Sequence, residues 1–269
     1  MSEKIHAVCS DIDGTQIIPG QKIPTAEVQQ AARGLSVPLL EVSARSYDML
    51  KPFLDPNEGV DLLGLGDNYC VLSGGASVVR ANTGVVEWSK RIPRMVAQDV
   101  VRGIGGLCTN IHYDKATKRL SPAQFITGIE EGRYLTEDVP SLFAIFSKTQ
   151  ADAMREQLGE FKTIATPRFM QYDRDPEKLC LQLGSHKGEG TGEALSLADL
   201  AGKPVLKIGD GANDIDLFLS APGPNVAIGN PDADPELLEM ARMPGCWIAP
   251  PVHENGFAAA IERYRPYFA

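Results

Sequence analysis

The chain has 269 residues, of which 43% are hydrophobic and 23% charged, enough to bury the core of one large domain or two smaller ones. Acidic residues outnumber basic ones by 35 to 26, giving a net charge of -9, and no basic run could follow a nucleic-acid backbone. The composition therefore argues against nucleic acid as a partner. The longest apolar runs are far shorter than the roughly 20 residues of a membrane-spanning helix, so no membrane association is expected.

The N-terminus and the cysteines indicate a cytoplasmic protein. After Glu3 and Lys4, the apolar run of residues 5–9 is too short for the core of a signal peptide. The five cysteines are odd in number and form no C-x-x-C pair, which predicts buried thiols in a reducing compartment.

The first third of the chain alternates strand and helix patterns, with strands at residues 5–10 and 37–43 and helices at 25–34 and 45–54. The first of these helices begins with a threonine and ends with a glycine, which are typical helix-start and helix-stop residues. This alternation is the βαβ pattern of a parallel sheet.

The same alternation returns near the C-terminus. It predicts a helix at 189–201, a strand at 204–209, a helix starting near Asn213, a strand at 225–228 and a helix at 235–242. We interpret the two ends of the chain as halves of one Rossmann-like α/β core.

The segment between these ends has a different pattern. It opens with a β-hairpin signal at 77–88 around Asn82-Thr83-Gly84, continues with helical stretches at 95–104 and 149–158, and ends with an alternating strand at 179–183. We therefore predict an α+β cap domain inserted into the core. The predicted boundaries are 1–77 and 186–269 for the core and 78–185 for the cap.

The strongest chemical signal is Ser10-Asp11-Ile12-Asp13-Gly14-Thr15, directly after the first strand. Ligands of parallel sheets bind beyond the carboxyl ends of the strands, so two carboxylates there can converge on one ligand. One can attack phosphorus while the other handles the proton of the leaving group. A polar turn is the alternative interpretation. A calcium loop is excluded, because its closing glutamate is replaced by Lys22.

A second acidic element, Gly209-Asp210-Gly211-Ala212-Asn213-Asp214, also follows a strand and opens a helix. Asp210 and Asp214 offer hard oxygen ligands suited to Mg²⁺, and the glycines allow close approach of the backbone to an ion or phosphate. A turn would be the usual explanation for Gly-Asp-Gly alone. Together with an independent Asp-x-Asp at another strand end, it favours a metal-dependent site.

Two weaker signals concern phosphate. Ser43 and Ala44 follow a third strand, where a hydroxyl group and backbone amides can hold phosphate oxygens. Lys187, where the inserted segment rejoins the core, can neutralise the charge that accumulates in phosphoryl transfer. A helix cap and a solvated surface lysine are the alternative interpretations.

These elements, in this order, resemble the four motifs of haloacid dehalogenase superfamily phosphatases. The long insertion resembles the large α/β cap of the Cof-type subclass, and Glu254-Asn255-Gly256-Phe257 resembles the closing segment of that subclass. Three positions depart from the pattern. Gln16 replaces an apolar residue, Gly74 replaces an asparagine, and Ala44 replaces a glycine.

The resemblance implies a role for each matching position. Asp11 would be the nucleophile and form an aspartyl-phosphate, and Asp13 would be the general acid and base. Ser43, Ala44, Lys187 and Asn213 would hold or orient the phosphoryl group. The implied Mg²⁺ ligands are Asp11, the backbone carbonyl of Asp13, Asp210 and, directly or indirectly, Asp214.

We expect a small phosphorylated metabolite such as a sugar phosphate as the substrate, and a homodimer is compatible with the sequence. The alternatives are a phosphomutase resembling phosphomannomutase, a dehalogenase and a non-catalytic protein that binds a phosphorylated ligand. Retention of Asp13 and of the metal ligands argues against dehalogenation. Candidate substrate contacts in the inserted segment lie at 112–114 and 133–134, where a structural role is the favoured interpretation, and at 169–174, where a packing role serves equally well.

Overall fold

The computed structural model describes residues 3–54, 61–113, 120–159, 167–171 and 177–269. The chain divides into two units. The first consists of Met1–Trp88 and His186–Ala269, and the second of Ser89–Ser185. None of the helices within the described ranges combines the length and apolar character that crossing a lipid bilayer requires.

Strands form one sheet in each unit. The described strands, numbered in chain order, are β1 (Val8–Ser10), β2 (Leu39–Val42), β3 (Tyr69–Leu72), β4 (Ser77–Arg80), β5 (Val86–Ser89), β6 (Cys108–Tyr113), β7 (Ser141–Ser147), β8 (Arg168–Gln171), β9 (Lys178–Gly184), β10 (Leu206–Gly209), β11 (Asn225–Ile228) and β12 (Trp247–Ala249).

Helices follow most of the strands in the chain. The described helices are α1 (Ala26–Arg33), α2 (Tyr47–Leu54), α3 (Arg94–Ile104), α4 (Pro122–Glu130), α5 (Ala151–Leu158), α6 (Lys187–Leu197), α7 (Ile215–Leu219), α8 (Pro235–Met240) and α9 (Gly256–Tyr264).

The first unit is built on an eight-stranded sheet in the order β12-β11-β10-β1-β2-β3-β4-β5. The strands from β12 to β3 are parallel, so the predicted parallel α/β core is confirmed. Apolar side chains of α1 and α9 cover one face, and those of α6, α7 and α8 cover the other. Burial on both faces explains why the central strands are apolar along most of their length.

The ends of several predicted elements shift by a few residues. Thr25 and Gly34 are caps of α1, as predicted, because Thr25 Oγ1 accepts a hydrogen bond from the Val28 amide at 3.3 Å. The first strand begins at Val8 instead of residue 5, since Ile5 forms a separate bridge with Phe268. The sequence predicted neither the helices α4 and α9 nor the strands β3, β6, β7 and β12.

The hairpin of β4 and β5 belongs to the first unit, whereas the prediction placed it in the inserted domain from Val78 onward. Val71 and Cys70 of β3 pair with Val78 and Val79 in antiparallel register. Val79 packs into the core on one face of the sheet and Val78 into the core on the other face. The hairpin thus adds two strands to the edge of the core sheet and side chains to the cores on both of its faces. The division between the units therefore falls after Trp88.

The second unit has a four-stranded antiparallel sheet in the order β6-β7-β9-β8. Apolar side chains of α3, α4 and α5 share one core with inward residues of the sheet. Tyr134 stacks on Phe125 with centroids 5.4 Å apart, and His112 stacks on Phe143 at 5.1 Å. These two predicted substrate contacts therefore pack within the unit, while positions 114 and 172–174 lie outside the described residues.

A carboxyl group is buried in the middle of the core sheet. Glu41 on β2 is fully buried, and the Gln16 side-chain amide lies 3.0 and 2.7 Å from its two carboxyl oxygens. Burial raises the pKa of Glu41 to about 8, against the opposing effect of the Gln16 hydrogen bond. Glu41 is thus predominantly protonated at neutral pH.

The buried Glu41 carboxyl group makes the stability of the fold depend on pH. The folded chain keeps the Glu41 proton up to about pH 8, whereas an unfolded chain loses it near 4.5. The contribution of Glu41 to stability is therefore full below pH 4.5 and declines as the pH rises to about 8. Across that window the free energy of unfolding of the wild type should fall by a few kcal/mol. We expect Glu41→Gln to show no such fall when unfolding is measured by chemical denaturation.

The exposed Glu236→Gln change is the matched control and should leave the decline intact. Parallel curves for wild type and Glu41→Gln would contradict the protonated state of Glu41.

Candidate active site

Three loops with polar residues meet at one edge of the core sheet. Asp11 follows β1, Asp210 follows β10 and Ser43 follows β2. Because β1 lies between β10 and β2 and all three strands are parallel, their carboxyl ends share this edge. The Asp11 amide donates to the carbonyl oxygen of Ile208 at 2.9 Å, which continues the pairing of the strands into the loop.

A buried ion-pair triad lies at this edge. Lys187 Nζ donates to Asp11 Oδ1 and to Asp214 Oδ1, each at 2.6 Å. All three side chains are buried, with exposed fractions of 2% for Lys187, 7% for Asp11 and 0% for Asp214. Lys187 is the first residue of α6, where the chain returns to the first unit. The predicted proximity of Asp11, Lys187 and Asp214 is thus present.

Burial and charge oppose each other within this triad. Burial alone would lower the pKa of the Lys187 ammonium, but the carboxylates of Asp11 and Asp214 outweigh it and raise the pKa above its ordinary value. Burial, together with the neighbouring Asp214 and Asp210, raises the pKa of Asp11, and Lys187 opposes that rise. The cluster therefore holds more carboxyl groups than one lysine can neutralise, and their mutual repulsion opposes full ionisation.

Asp210 is held from two sides. Thr15 Oγ1 donates to Asp210 Oδ1 at 2.9 Å, and Asn230 Nδ2 donates to Asp210 Oδ2 at 3.1 Å. Burial and the nearby Asp214 raise the pKa of Asp210 to about 7. Gly14, with φ at +77°, lies so close that a β-carbon on it would be 2.1 Å from Asp210 Oδ2. The glycine of the Asp-x-Asp-Gly motif is therefore required for both conformation and space.

The donor set fits a divalent cation. Oxygens of Asp11, Asp210 and Asp214 lie within 4.8 Å of one another, and buried carboxylates in excess of their ammonium partner favour a bound cation. Asp214 Oδ1 accepts from Lys187, and its Oδ2 accepts from the amides of Asp210 and Gly211 at 3.0 and 3.1 Å. Asp11 and Asp210 are therefore the better direct ligands, and Asp214 orients the groups around them.

Asp13 is separate from the buried triad. Its carboxylate is 57% exposed and forms a two-point ion pair with Arg45, with Nε to Oδ2 at 2.8 Å and Nη2 to Oδ1 at 2.5 Å. Arg45 comes from the loop after β2. An exposed carboxylate beside the buried Asp11 is free to exchange one partner for another.

The remaining predicted residues differ in their surroundings. Ser43 is buried, and its Oγ accepts a hydrogen bond from the Arg45 amide at 3.1 Å, while Ala44 is exposed. Asn213 is half-buried in a short 3₁₀ turn that precedes α7. The structure places these three residues at the edge of the sheet where the carboxyl ends of the parallel strands lie.

Three contributing residues had no assigned role in the sequence interpretation. Thr15 was part of the first acidic motif and Arg45 directly follows the Ser43-Ala44 pair, but the partners of both were unknown. Asn230 Nδ2 also donates to the Gly14 carbonyl at 2.8 Å, and its Oδ1 accepts from the Val252 amide at 2.9 Å. Its position two residues after β11, beside β10 in the sheet, is the signal that could have identified it.

The chain resembles known proteins over nearly its full length. A model of haloacid dehalogenase-like hydrolases matches residues 8–261. Solved structures with the same fold include a sugar phosphatase of subclass IIB, with 15% identity, a TM-score of 0.69 and coverage of 97% of this chain and 99% of that one.

Two further solved structures agree. A phosphatase from Bacteroides thetaiotaomicron has 16% identity, a TM-score of 0.73 and coverage of 98% and 96%. A protein from Thermotoga maritima has 17% identity, a TM-score of 0.64 and coverage of 96% and 97%. No curated protein sequence matches the chain. From the family match and the shared fold, the chain belongs to the haloacid dehalogenase-like hydrolases.

Proposed function

We propose that this hydrolase is a Mg²⁺-dependent phosphatase that cleaves a small phosphate monoester through an aspartyl-phosphate on Asp11. The observation that supports it most is the buried Asp11 carboxylate, held by Lys187 and flanked by Asp210 and Asp214. A carboxylate fixed in this way has one oxygen anchored and is oriented for attack.

Two transfers make up the proposed reaction. In the first, a carboxylate oxygen of Asp11 bonds to phosphorus, the bond from phosphorus to the leaving oxygen breaks, and Asp13 gives that oxygen a proton. In the second, Asp13 takes a proton from water, the water oxygen attacks phosphorus, and Asp11 is released with inorganic phosphate. Ser43, the Ala44 amide, Lys187 and Asn213 would hold the phosphoryl oxygens.

Asp11, Asp210 and the backbone carbonyl of Asp13 would hold the Mg²⁺ ion. When bound, the ion would supply positive charge against the phosphoryl oxygens, which the surplus of buried carboxylate cannot provide. Asp214 would keep Lys187 and the loop of Asp210 in place. Thr15 and Asn230 would fix the Asp210 carboxylate in one orientation.

Arg45 bears on the role of Asp13. The two-point ion pair engages both carboxylate oxygens of Asp13, whereas delivery of a proton to a leaving group needs one of them to face that group. Asp13 would therefore leave Arg45 when an ester binds and return to it afterwards. The exposure of the Asp13 carboxylate permits such an exchange without breaking a buried contact.

A sugar phosphate is the proposed class of substrate, since one structure with this fold is a sugar phosphatase. We also propose that the inserted unit, Ser89–Ser185, selects the ester.

Phosphate release from a panel of sugar phosphates and an aryl phosphate, with Mg²⁺ or with chelator, is the first test. We expect release that requires Mg²⁺ and is abolished by Asp11→Asn, because the amide is a far weaker nucleophile of nearly equal size. Asp199→Asn is the matched control, being the same change at an exposed site. Activity of Asp11→Asn close to wild type would remove Asp11 as the nucleophile.

If the wild type releases no phosphate from any ester, a phosphomutase becomes the next hypothesis. It would be tested with a sugar bisphosphate as activator.

Asp210→Asn tests the ion site. The amide keeps the size and the contact with Thr15 but lacks the charge, so the Mg²⁺ concentration for half-maximal rate should rise by about tenfold or more. The exposed Asp232→Asn change serves as the control. An unchanged Mg²⁺ titration would mean that the ion lies elsewhere.

Asp13→Asn separates the two proton transfers. With an aryl phosphate, whose leaving group needs little protonation, we expect one equivalent of aryl alcohol per enzyme in a rapid burst, followed by slow turnover. With a sugar phosphate both steps suffer, and kcat should fall by about 10²–10⁴. Equal losses on both substrates without a burst would contradict the second role of Asp13.

A further inference from the structure

Gln16 joins the nucleophile loop to the neighbouring strand. Its side chain is fully buried, and Nε2 lies 3.2 Å from the backbone carbonyl oxygen of Asp11 and 3.0 Å from Ser10 Oγ. The same nitrogen lies within 3.0 Å of both carboxyl oxygens of Glu41 on β2. One amide group thus contacts the peptide of the proposed nucleophile and a buried carboxyl group.

The turn that leads into Gln16 is closed by its own backbone. The amides of Gln16 and Ile17 both donate to the Ile12 carbonyl at 2.9 Å, which closes the turn after Asp11. The Asp11 carbonyl accepts from Ser10 Oγ at 2.8 Å, a contact within the same loop. The Ser10 and Gln16 side chains thus both contact the Asp11 carbonyl, and Gln16 links it to another strand of the sheet, β2.

The partner of Gln16 is suited to hold it in place. Glu41 lies inside β2, directly beside Ser10 in the strand register, so its backbone cannot move without disturbing the sheet. Both Glu41 oxygens lie within 3.0 Å of Gln16 Nε2, so one N–H of the amide is directed at the Glu41 carboxyl group and the other is left for the Ser10–Asp11 side. An apolar side chain at either position would fill the space but could not make this link.

We propose that Gln16, braced by Glu41, is a positioning residue that fixes the Asp11 peptide and so the direction of the Asp11 carboxylate. This inference rests on the proposed function, in which Asp11 is the nucleophile. Small displacements of a reacting group are costly, since about 1 Å can lower the rate by about 10². Loss of the Gln16 contact with the Asp11 carbonyl should lower kcat by about tenfold, with KM changed by less than about twofold.

Four variants distinguish a positioning role of Gln16 from a role limited to hydrogen bonding the buried Glu41 carboxyl group. Gln16→Leu leaves Glu41 without its donor and should lower both stability and kcat. Gln16→Leu/Glu41→Leu removes both polar groups and should recover most of the lost stability. Glu41→Gln keeps a neutral hydrogen-bonding partner, whereas Glu41→Leu does not.

Val79→Ala provides a matched control for stability. Val79 is buried on β4, two strands away from β2 in the sheet. Its shortened side chain should lower the unfolding temperature without lowering kcat.

Each variant is measured for unfolding temperature, for kcat and KM of phosphate release, and for affinity toward trifluoroberyllate with Mg²⁺. Trifluoroberyllate is a tetrahedral phosphoryl analogue that binds carboxylates, and ¹⁹F NMR follows its binding without turnover. The proposal expects the double variant to regain stability while its kcat and its trifluoroberyllate affinity stay about tenfold low. Full recovery of kcat and affinity together with stability would overturn it.

The remaining outcomes are also decisive. If the double variant does not fold, a kcat about tenfold higher for Glu41→Gln than for Glu41→Leu supports positioning, and equal values overturn it. If the wild type binds trifluoroberyllate but hydrolyses no ester, the proposed function fails and the affinities alone decide the role of Gln16. If the wild type does neither, both proposals are overturned.

Discussion

The arrangement of the site depends on one buried ammonium group between two buried carboxylates. Lys187 contacts Asp11 and Asp214 at 2.6 Å each, and water is largely excluded from all three side chains. Removing one partner from such a cluster leaves an uncompensated buried charge, which typically costs about 3–5 kcal/mol. Because Lys187 begins α6, the contact also links the N-terminal and C-terminal halves of the split unit. The fold and the proposed nucleophile are therefore held by the same interaction.

Space around the acidic groups is a second constraint. A β-carbon on Gly209 would lie 2.5 Å from Cγ of Asp214, so only glycine allows the Asp214 carboxylate to reach the amides of Asp210 and Gly211. Those two hydrogen bonds aim one Asp214 oxygen at the backbone and leave the other for Lys187. Asp214 is thus an organiser of its surroundings, which distinguishes it from Asp11 and Asp210 despite the shared residue type.

The sequence predicted the parallel core and the meeting of its acidic loops, because strand-end motifs are local and parallel strands place their carboxyl ends together. It misplaced the hairpin, since the pattern around Gly84 predicts a turn but not the strand with which the hairpin pairs. The Asp13–Arg45 pair and the contacts of Asn230 were also beyond reach. They join residues distant in the chain, and their side-chain directions depend on packing that no spacing rule specifies.

Two buried acids, one within β2 and one directly after the adjacent β1, illustrate how environment decides charge. Asp11 has a lysine as its partner and is flanked by other carboxylates, an arrangement that favours a bound cation. Glu41 has an uncharged amide as its partner and stays protonated at neutral pH, so it adds no negative charge to an already acidic region. Gln16 contacts both the Glu41 carboxyl group and the Asp11 peptide. In the proposed function, a neutral Glu41 would therefore brace the Asp11 peptide through Gln16 without adding charge beside the proposed Mg²⁺ ligands.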